Sequence, residues 1–343
     1  MGTISTDPMM RRLCEQQAQT MVRYWETWQH WTPRAFKDSE VSDADLRKYS
    51  LILVGGPDAN LVTKRLIGKL PLEISSDKVT IDGRAFPVQD AALKVVYPHP
   101  LNPDRYLLII AGTSPAGMYF ARRYPDDVDF CISDDCFADP DEGRPDEKVL
   151  PVTGSFDHAW RLDPSYLAVA DATVRAQCRV RRPPRYPSAA VAGARLMLGD
   201  LLESSAQGSF TEMMRGTNWQ GKPMVLGART YSDGIAANIW GDPNAVEFDL
   251  SGGEWKRLRG VIGIEVNPEE ESQAAKDSTR VVFLVKGDGK ELYRSDPFLW
   301  TSAPRELDVD VAGVKALWLE VIGGSSPRGS VASADWADLR LER

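Results

Sequence analysis

The sequence predicts two domains of different class: an α/β domain over residues 1–178, then an all-β sandwich over residues 192–343. Three observations predict this. Helix and strand signals alternate through the first half, the mark of a sheet covered by helices. Helix signals nearly vanish after residue 192, where short alternating strands with polar turns follow one another. Between the halves, "RVRRPPRYP" at 179–187 has the proline and arginine content of a linker, which is extended to 179–191.

In the first half, "MMRRLCEQQAQTMVRYWETWQHW" reads as an opening amphipathic helix. Ser42 is placed as a helix N-cap, with an acid three residues on. "YSLILVGG" is a short apolar run of the kind that forms a buried parallel strand. "NLVTKRLIGKL" follows as a helix capped by Asn60, with Leu61, Arg65, Leu66 and Leu70 at helical spacing. "KVTIDGRAF" is a hairpin turning at Asp82-Gly83. "ALKVVYPHP", "RYLLIIAGTS" and "VDFCISDD" are further strands, with "AGMYFARRY" a helix among them. The expected arrangement is an open Rossmann-like or flavodoxin-like sheet with an inserted hairpin.

In the second half, "AVEFDL" places Val246, Phe248 and Leu250 on one face. "RVVFLVKGDGKELYRS" is a hairpin with Gly-Asp-Gly at its tip. "ELDVDV" buries Leu307, Val309 and Val311 and exposes Asp308 and Asp310. "KALWLEVIGG" and "DWADLRLE" complete the set. In the last strand, strict alternation groups Ala337, Leu339 and Leu341 and leaves Trp336, Asp338 and Arg340 on the outward face. Trp336 is then expected to pack beneath a loop rather than to stand as an exposed platform.

Composition narrows the function classes. A formal charge of −8 gives no electrostatic footprint for nucleic acid. No apolar run approaches 18 residues, so no membrane span is expected. The opening residues carry no apolar export segment, which leaves the compartment open. Cys14, Cys131, Cys136 and Cys178 are too few for a disulfide scaffold, and the four residues between Cys131 and Cys136 do not make a zinc spacing. Three scattered histidines, His30, His99 and His158, argue against a histidine-based metal site.

Several segments of the second half occur together in one order: "ARLMLGDLLES", "NWQGKPMVLGARTYSDGIAAN", "AVEFDLSGG", "VVFLVKGDGKELYRSD", "VDVAGVKALWLEVIGG" and "ADWADLRL". Together they resemble the NPCBM domain, a carbohydrate-binding module related to galactose-binding β-sandwiches. The resemblance implies a jelly-roll sandwich that binds sugar at loops on one end, often with a structural calcium, and it implies no catalysis. It also suggests a bacterial periplasmic or secreted setting. The family often has a histidine where this sequence has Asn238, and its closing motif often reads "DHADWADA" where Ala332 and Ser333 stand here. An asparagine still donates to and accepts from sugar hydroxyls.

A sugar site needs an aromatic face against the ring's C–H patch and short polar groups for its hydroxyls. Trp219, Asn238, Trp240, Asp335 and Trp336 fall in predicted loops or strand ends, and Trp240, in "NIWGDPN", is the expected platform. Asp242 and Asn244 are the oxygen donors on hand for calcium.

The first half is similar to the small α/β domain that follows the catalytic domain of some bacterial prolyl-oligopeptidase-like hydrolases. The similarity rests on "FKDSEVSDADLRKYSLILVGGPDANLVTKRLIGKLPL" and "YPHPLNPDRYLLIIAGTS". It implies an accessory region of a larger hydrolase. No G-x-S-x-G elbow occurs, since "GTSPAG" has another spacing. His99, Ser114 and Asp134 would serve as base, nucleophile and orienting acid only if their loops converge at the carboxyl ends of parallel strands. The expectation is a non-catalytic glycan-binding protein. A serine hydrolase and a scaffold that has lost its sugar site are the alternatives.

Overall fold

The computed structural model describes residues 1–121, 128–134, 136–137, 151–171, 179–180, 184–186, 193–207, 213–218, 222–238, 244–265, 279–323 and 333–343. The chain divides into two compact units, Met1–Pro183 and Pro184–Arg343.

The first unit opens with helix α1 (Pro8–Trp28), capped by the Asp7 carboxylate, which accepts from the Met10 amide. Helix α2 (Asp43–Lys48) starts at Ser42, whose hydroxyl and the Asp45 carboxylate each accept from the other's backbone amide. Strand β1 (Leu51–Val54) leads to α3 (Leu61–Leu66), where the Asn60 side chain accepts from the amides of Val62 and Thr63. A separate three-stranded sheet follows: β2 (Leu72–Ile74), β3 (Lys78–Ile81) and β4 (Arg84–Pro87). Asp82 and Gly83 turn the hairpin with φ of 48° and 79°, a two-residue turn that asks for left-handed backbone at both positions. Then come β5 (Ala92–Pro98), β6 (Tyr106–Gly112), α4 (Pro115–Phe120), β7 (Phe130–Ser133), β8 (Cys136–Phe137), β9 (Val152–Gly154), β10 (Ala168–Val169) and β11 (Arg179–Val180).

The central sheet runs β1-β6-β5-β7-β9-β10. Only β1 and β6 are parallel; β5 is antiparallel to both β6 and β7, and β9 to both β7 and β10. The doubly wound Rossmann-like or flavodoxin-like sheet expected from the sequence is therefore not what forms. The cause is the connection between β5 and β6. Residues 99–105 are too few for a crossover helix, so the chain turns straight back, as a hairpin does. His99 holds that turn: its amide donates to Arg105 O at 2.8 Å, and its Nδ1 accepts from the Leu101 amide at 3.1 Å. Cys14 is a buried free thiol, and Cys131 is buried in β7.

The second unit is built from β12 (Arg195–Met197), β13 (Ser205–Gln207), β14 (Met214–Arg215), β15 (Met224–Leu226), β16 (Arg229–Tyr231), β17 (Gly234–Asn238), β18 (Asn244–Asp249), β19 (Arg257–Glu265), β20 (Val282–Gly287), β21 (Lys290–Arg294), β22 (Arg305–Asp310), β23 (Ala316–Ile322) and β24 (Ser333–Glu342). One sheet runs β14-β17-β24-β19-β22 with β12 beside the end of β24; the other runs β13-β18-β23-β20-β21. Their inner faces enclose one core, including Ile235, Leu258, Ile262 and Leu339 from the first sheet and Val246, Phe248, Phe283 and Leu319 from the second. Such burial of alternate side chains from two facing sheets is what holds a sandwich together.

The alternation expected for the last strand breaks at Asp338. Arg340 pairs with Arg259, but Ala337 pairs with Val261, so three steps along β24 match two along β19. That is a β-bulge, and Asp338 sits in it with φ 46°. One extra residue reverses the faces upstream of it. Trp336 joins Leu339 and Leu341 in the main core at 0% exposure, rather than facing outward. Its ring meets Phe283 edge-on at 5.1 Å. Ala337 lies on the other face, in a smaller core with Met214, Met224, Leu226, Ala236 and Val261.

Candidate functional site

Strand ends of both sheets gather at one end of the sandwich. In the first sheet Asn238, the last residue of β17, is opposite Ser333, the first of β24, and Glu265, the last of β19, is opposite Ser333 on the other side. In the second sheet Asn244 opens β18 opposite Val321, and Val282 opens β20 opposite Ile322. Residues 239–243 join Asn238 to Asn244, and five residues reach at most about 20 Å, so these termini belong to one end of the sandwich.

Register also assigns faces. Asp335 is paired with Ala236 on one side and Gly263 on the other, so it lies on the outer face together with Ser333, Glu265 and the Asn238 position. Asp335 is wholly buried there. Its Oδ1 accepts from the Ser333 hydroxyl at 2.5 Å, Oδ2 receives no hydrogen bond from an N–H or hydroxyl donor among the described residues, and the Glu265 carboxyl lies within hydrogen-bonding reach of the Asp335 carboxyl. Burial pushes the Asp335 carboxyl well above the ordinary carboxylate range, and the negative charge of Glu265 adds to the shift. Glu265 accepts from Asn218 Nδ2 at 2.9 Å and from the Val225 amide at 3.1 Å. Asn218 in turn closes the turn ahead of β15: its amide donates to Lys222 O at 2.7 Å, and its Oδ1 accepts from the Lys222 amide at 2.9 Å. Glu265 thus ties Asn218 and Val225 to the sheet.

Of the residues singled out for sugar, Asp335 and the backbone of Asn238 meet at this end, while Trp336 is buried between the sheets and presents no platform. Trp219, Trp240 and Asp242 lie outside the described residues. Chain continuity ties Trp219 to Asn218 and brackets Trp240 and Asp242 between Asn238 and Asn244. Asn244 is 1% exposed. Among the described residues no three acidic, histidine or cysteine side chains are arranged to hold a metal ion. Glu265, Asn218 and Ser333 were not singled out from the sequence. The one signal for them was Glu265 itself, a charged side chain in step with Val261 and Gly263 of a strand otherwise apolar there.

The residues considered for catalysis do not converge. Ser114 follows β6, and Asp134 follows β7, both at the sheet end marked by Ala92, which pairs with Gly112 and Ser133. His99 follows the other end of β5, whose Pro98 pairs with Tyr106. Seven residues of strand, about 20 Å, separate the two ends. The convergence assumed parallel strands, and β5 is antiparallel. Ser114 instead caps α4, its hydroxyl donating to Asp90 at 2.5 Å and accepting from the Gly117 amide at 3.1 Å. His99 is 2% exposed, and burial lowers its imidazole pKa.

Residues 195–342 match the family described as NPCBM/NEW2 domain, so the C-terminal region carries an NPCBM domain. No curated protein matches the chain. Among solved structures, the CBM51-2 and INT domains of Clostridium perfringens ZmpB are 20% identical, over 43% of this chain and 31% of that one, with a TM-score of 0.34. A CBM51 from Clostridium perfringens GH95 in complex with methyl-galactose is 20% identical, over 43% of this chain and 99% of that one, with a TM-score of 0.36. Tandem CBM51 modules of Sp3GH98, a family 98 glycoside hydrolase from Streptococcus pneumoniae, are 14% identical over 52% of each chain, with a TM-score of 0.37.

Proposed function

We propose that the NPCBM domain of residues 195–342 binds carbohydrate, at the end of the sandwich where Asn238, Asn244, Glu265 and Ser333 terminate their strands. The family match carries this reading. Support comes from the residue types that the chain brings to that end. In sequence, Trp219 follows Asn218 and Trp240 lies between Asn238 and Asn244; tryptophan offers an aromatic face for a sugar ring and asparagine paired donors and acceptors for its hydroxyls. The N-terminal unit is read as a non-catalytic companion, an accessory region of a larger hydrolase, since His99 stands a strand's length from Ser114.

A single shallow site of this kind binds on the order of 0.1–1 mM, about −4 to −5.5 kcal/mol. Calorimetric titration of the full chain with a methyl galactoside is expected to show such an affinity. Trp240→Ala is expected to abolish it while leaving thermal unfolding unchanged. Retained binding in that variant would remove Trp240 from the site, and no binding of any glycan by the wild type would refute the reading.

A further inference from the structure

We propose that Asp335 is kept as a neutral acid in the folded chain and that, with Glu265, it forms a proton-dependent latch fastening the β15–β16 hairpin over the outer face of its sheet. The placement carries this. Asp335 sits on a central strand, flanked by β17 and β19, with no exposed surface, with no N–H or hydroxyl donor to Oδ2 among the described residues, and with the Glu265 carboxyl within hydrogen-bonding reach. Its neighbours on that face are Ala236 and Gly263, and the side chain of Leu226 from the hairpin covers Gly263. An ionised carboxylate in such a place needs a cation or several donors, and Ser333 is one donor.

Among the described residues, the charged groups on the elements packed around it do not provide a cation. On β14, Arg215 pairs with Ile235 of the main core and so faces inward, where its guanidinium meets Glu203 and Leu201 O. At the hairpin, Lys222 and Arg229 are exposed. Arg257 and Arg259 lie at the far end of β19, bonded to Asp308 and Glu342. On β24, Asp338 and Arg340 pair with each other beyond the bulge, and Glu342 accepts from Arg340. Glu265 remains, and it is an anion already holding Asn218 and Val225. A proton on Asp335 lets the two carboxyl groups coexist. Losing it sets two negative charges side by side in a dry place and works against the contacts that hold the hairpin.

The sign follows from the raised folded-state pKa. The stabilising contribution is whole below the unfolded-state value and is lost as pH rises through the folded-state value. The latch is read without any sugar. Only its consequence, weaker glycan binding at alkaline pH, rests on the proposed function, so the two fail separately.

The test uses the full chain at about pH 6 to about pH 9. Infrared spectra of the wild type at neutral pH are expected to show the carbonyl band of a protonated carboxylic acid that Asp335→Asn lacks. The unfolding temperature of the C-terminal unit is expected to fall as pH rises, and Asp335→Asn is expected to flatten that fall. Ser333→Ala removes the donor that favours the ionised form, so it is expected to move the fall to higher pH; this variant decides the matter if Asp335→Asn does not fold. A missing acid band, or a Ser333→Ala profile identical to the wild type, would overturn the proposal. So would calcium chloride abolishing the alkaline fall while a chelator restores it, because a metal rather than a proton would then neutralise the pair.

Discussion

Asp338 decides where Trp336 goes. Its left-handed backbone, φ 46°, is conformational space that aspartate tolerates and β-branched residues avoid, and its amide donates to Asp233 O at 2.8 Å. Trp336 then fills the core against Phe283, with the indole nitrogen unpartnered. Trp336→Ala is expected to cost roughly 3–5 kcal/mol in denaturant unfolding, the range for truncating a buried large aromatic. Loss of glycan binding in a Trp336→Ala protein of unchanged stability would contradict its core placement. From sequence, its neighbours Leu339 and Leu341 were legible as core, but strict period two sent Trp336 outward. A bulge leaves only a weak trace in sequence, here one αL-tolerant aspartate inside an apolar strand. The buried Arg215–Glu203 pair was equally hidden, since nothing in the sequence ties an arginine at 215 to a glutamate at 203. With side-chain exposures of 9% and 2%, its separation leaves a charge uncompensated. Arg215→Ala is expected to destabilise the C-terminal unit by about 3–5 kcal/mol in the same assay.

At the level of elements, local signals served well and pairing direction did not. Asn60 and Ser42 cap the helices they were expected to cap, and Asp82-Gly83 and Asp288-Gly289 turn their hairpins with positive φ. Each is set by a few neighbouring residues. Strand direction is set by the length and course of the connection, and "YPHPLNPDRY" gives only a short turn between two apolar runs. Taking that turn for a crossover yields both the parallel sheet and the convergence of His99 with Ser114. Ser114 is instead a cap on a helix of six residues. Ser114→Ala is expected to cost about 1 kcal/mol in thermal or denaturant unfolding of the N-terminal unit, with no effect on any hydrolase activity found. An activity lost in that variant with the fold intact would reinstate Ser114 as a nucleophile.

For the whole molecule, the chain divides into two compact units, Met1–Pro183 and Pro184–Arg343. The boundary can be narrowed. Arg179 and Val180 pair with Phe137 and Cys136 in the first unit, whereas the Arg185 amide donates to Asp200 O at 2.6 Å and Arg185 O accepts from the Leu202 amide at 2.8 Å in the second. Limited proteolysis of the full chain is expected to cut between Val180 and Pro184 and to leave two stable fragments, because few contacts cross a domain boundary. A chain that resists cleavage there, or whose fragments unfold on separation, would contradict it. The most direct test of the central reading is amide chemical-shift mapping of the full chain titrated with a methyl galactoside. The account predicts shifts confined to Asn218, Asn238, Asn244, Glu265, Gly323 and Ser333 and the chain segments next to them. Shifts centred on the opposite end of the sandwich, at Asp233, Gly253, Asp288 and Asp338, or in the N-terminal unit would contradict it.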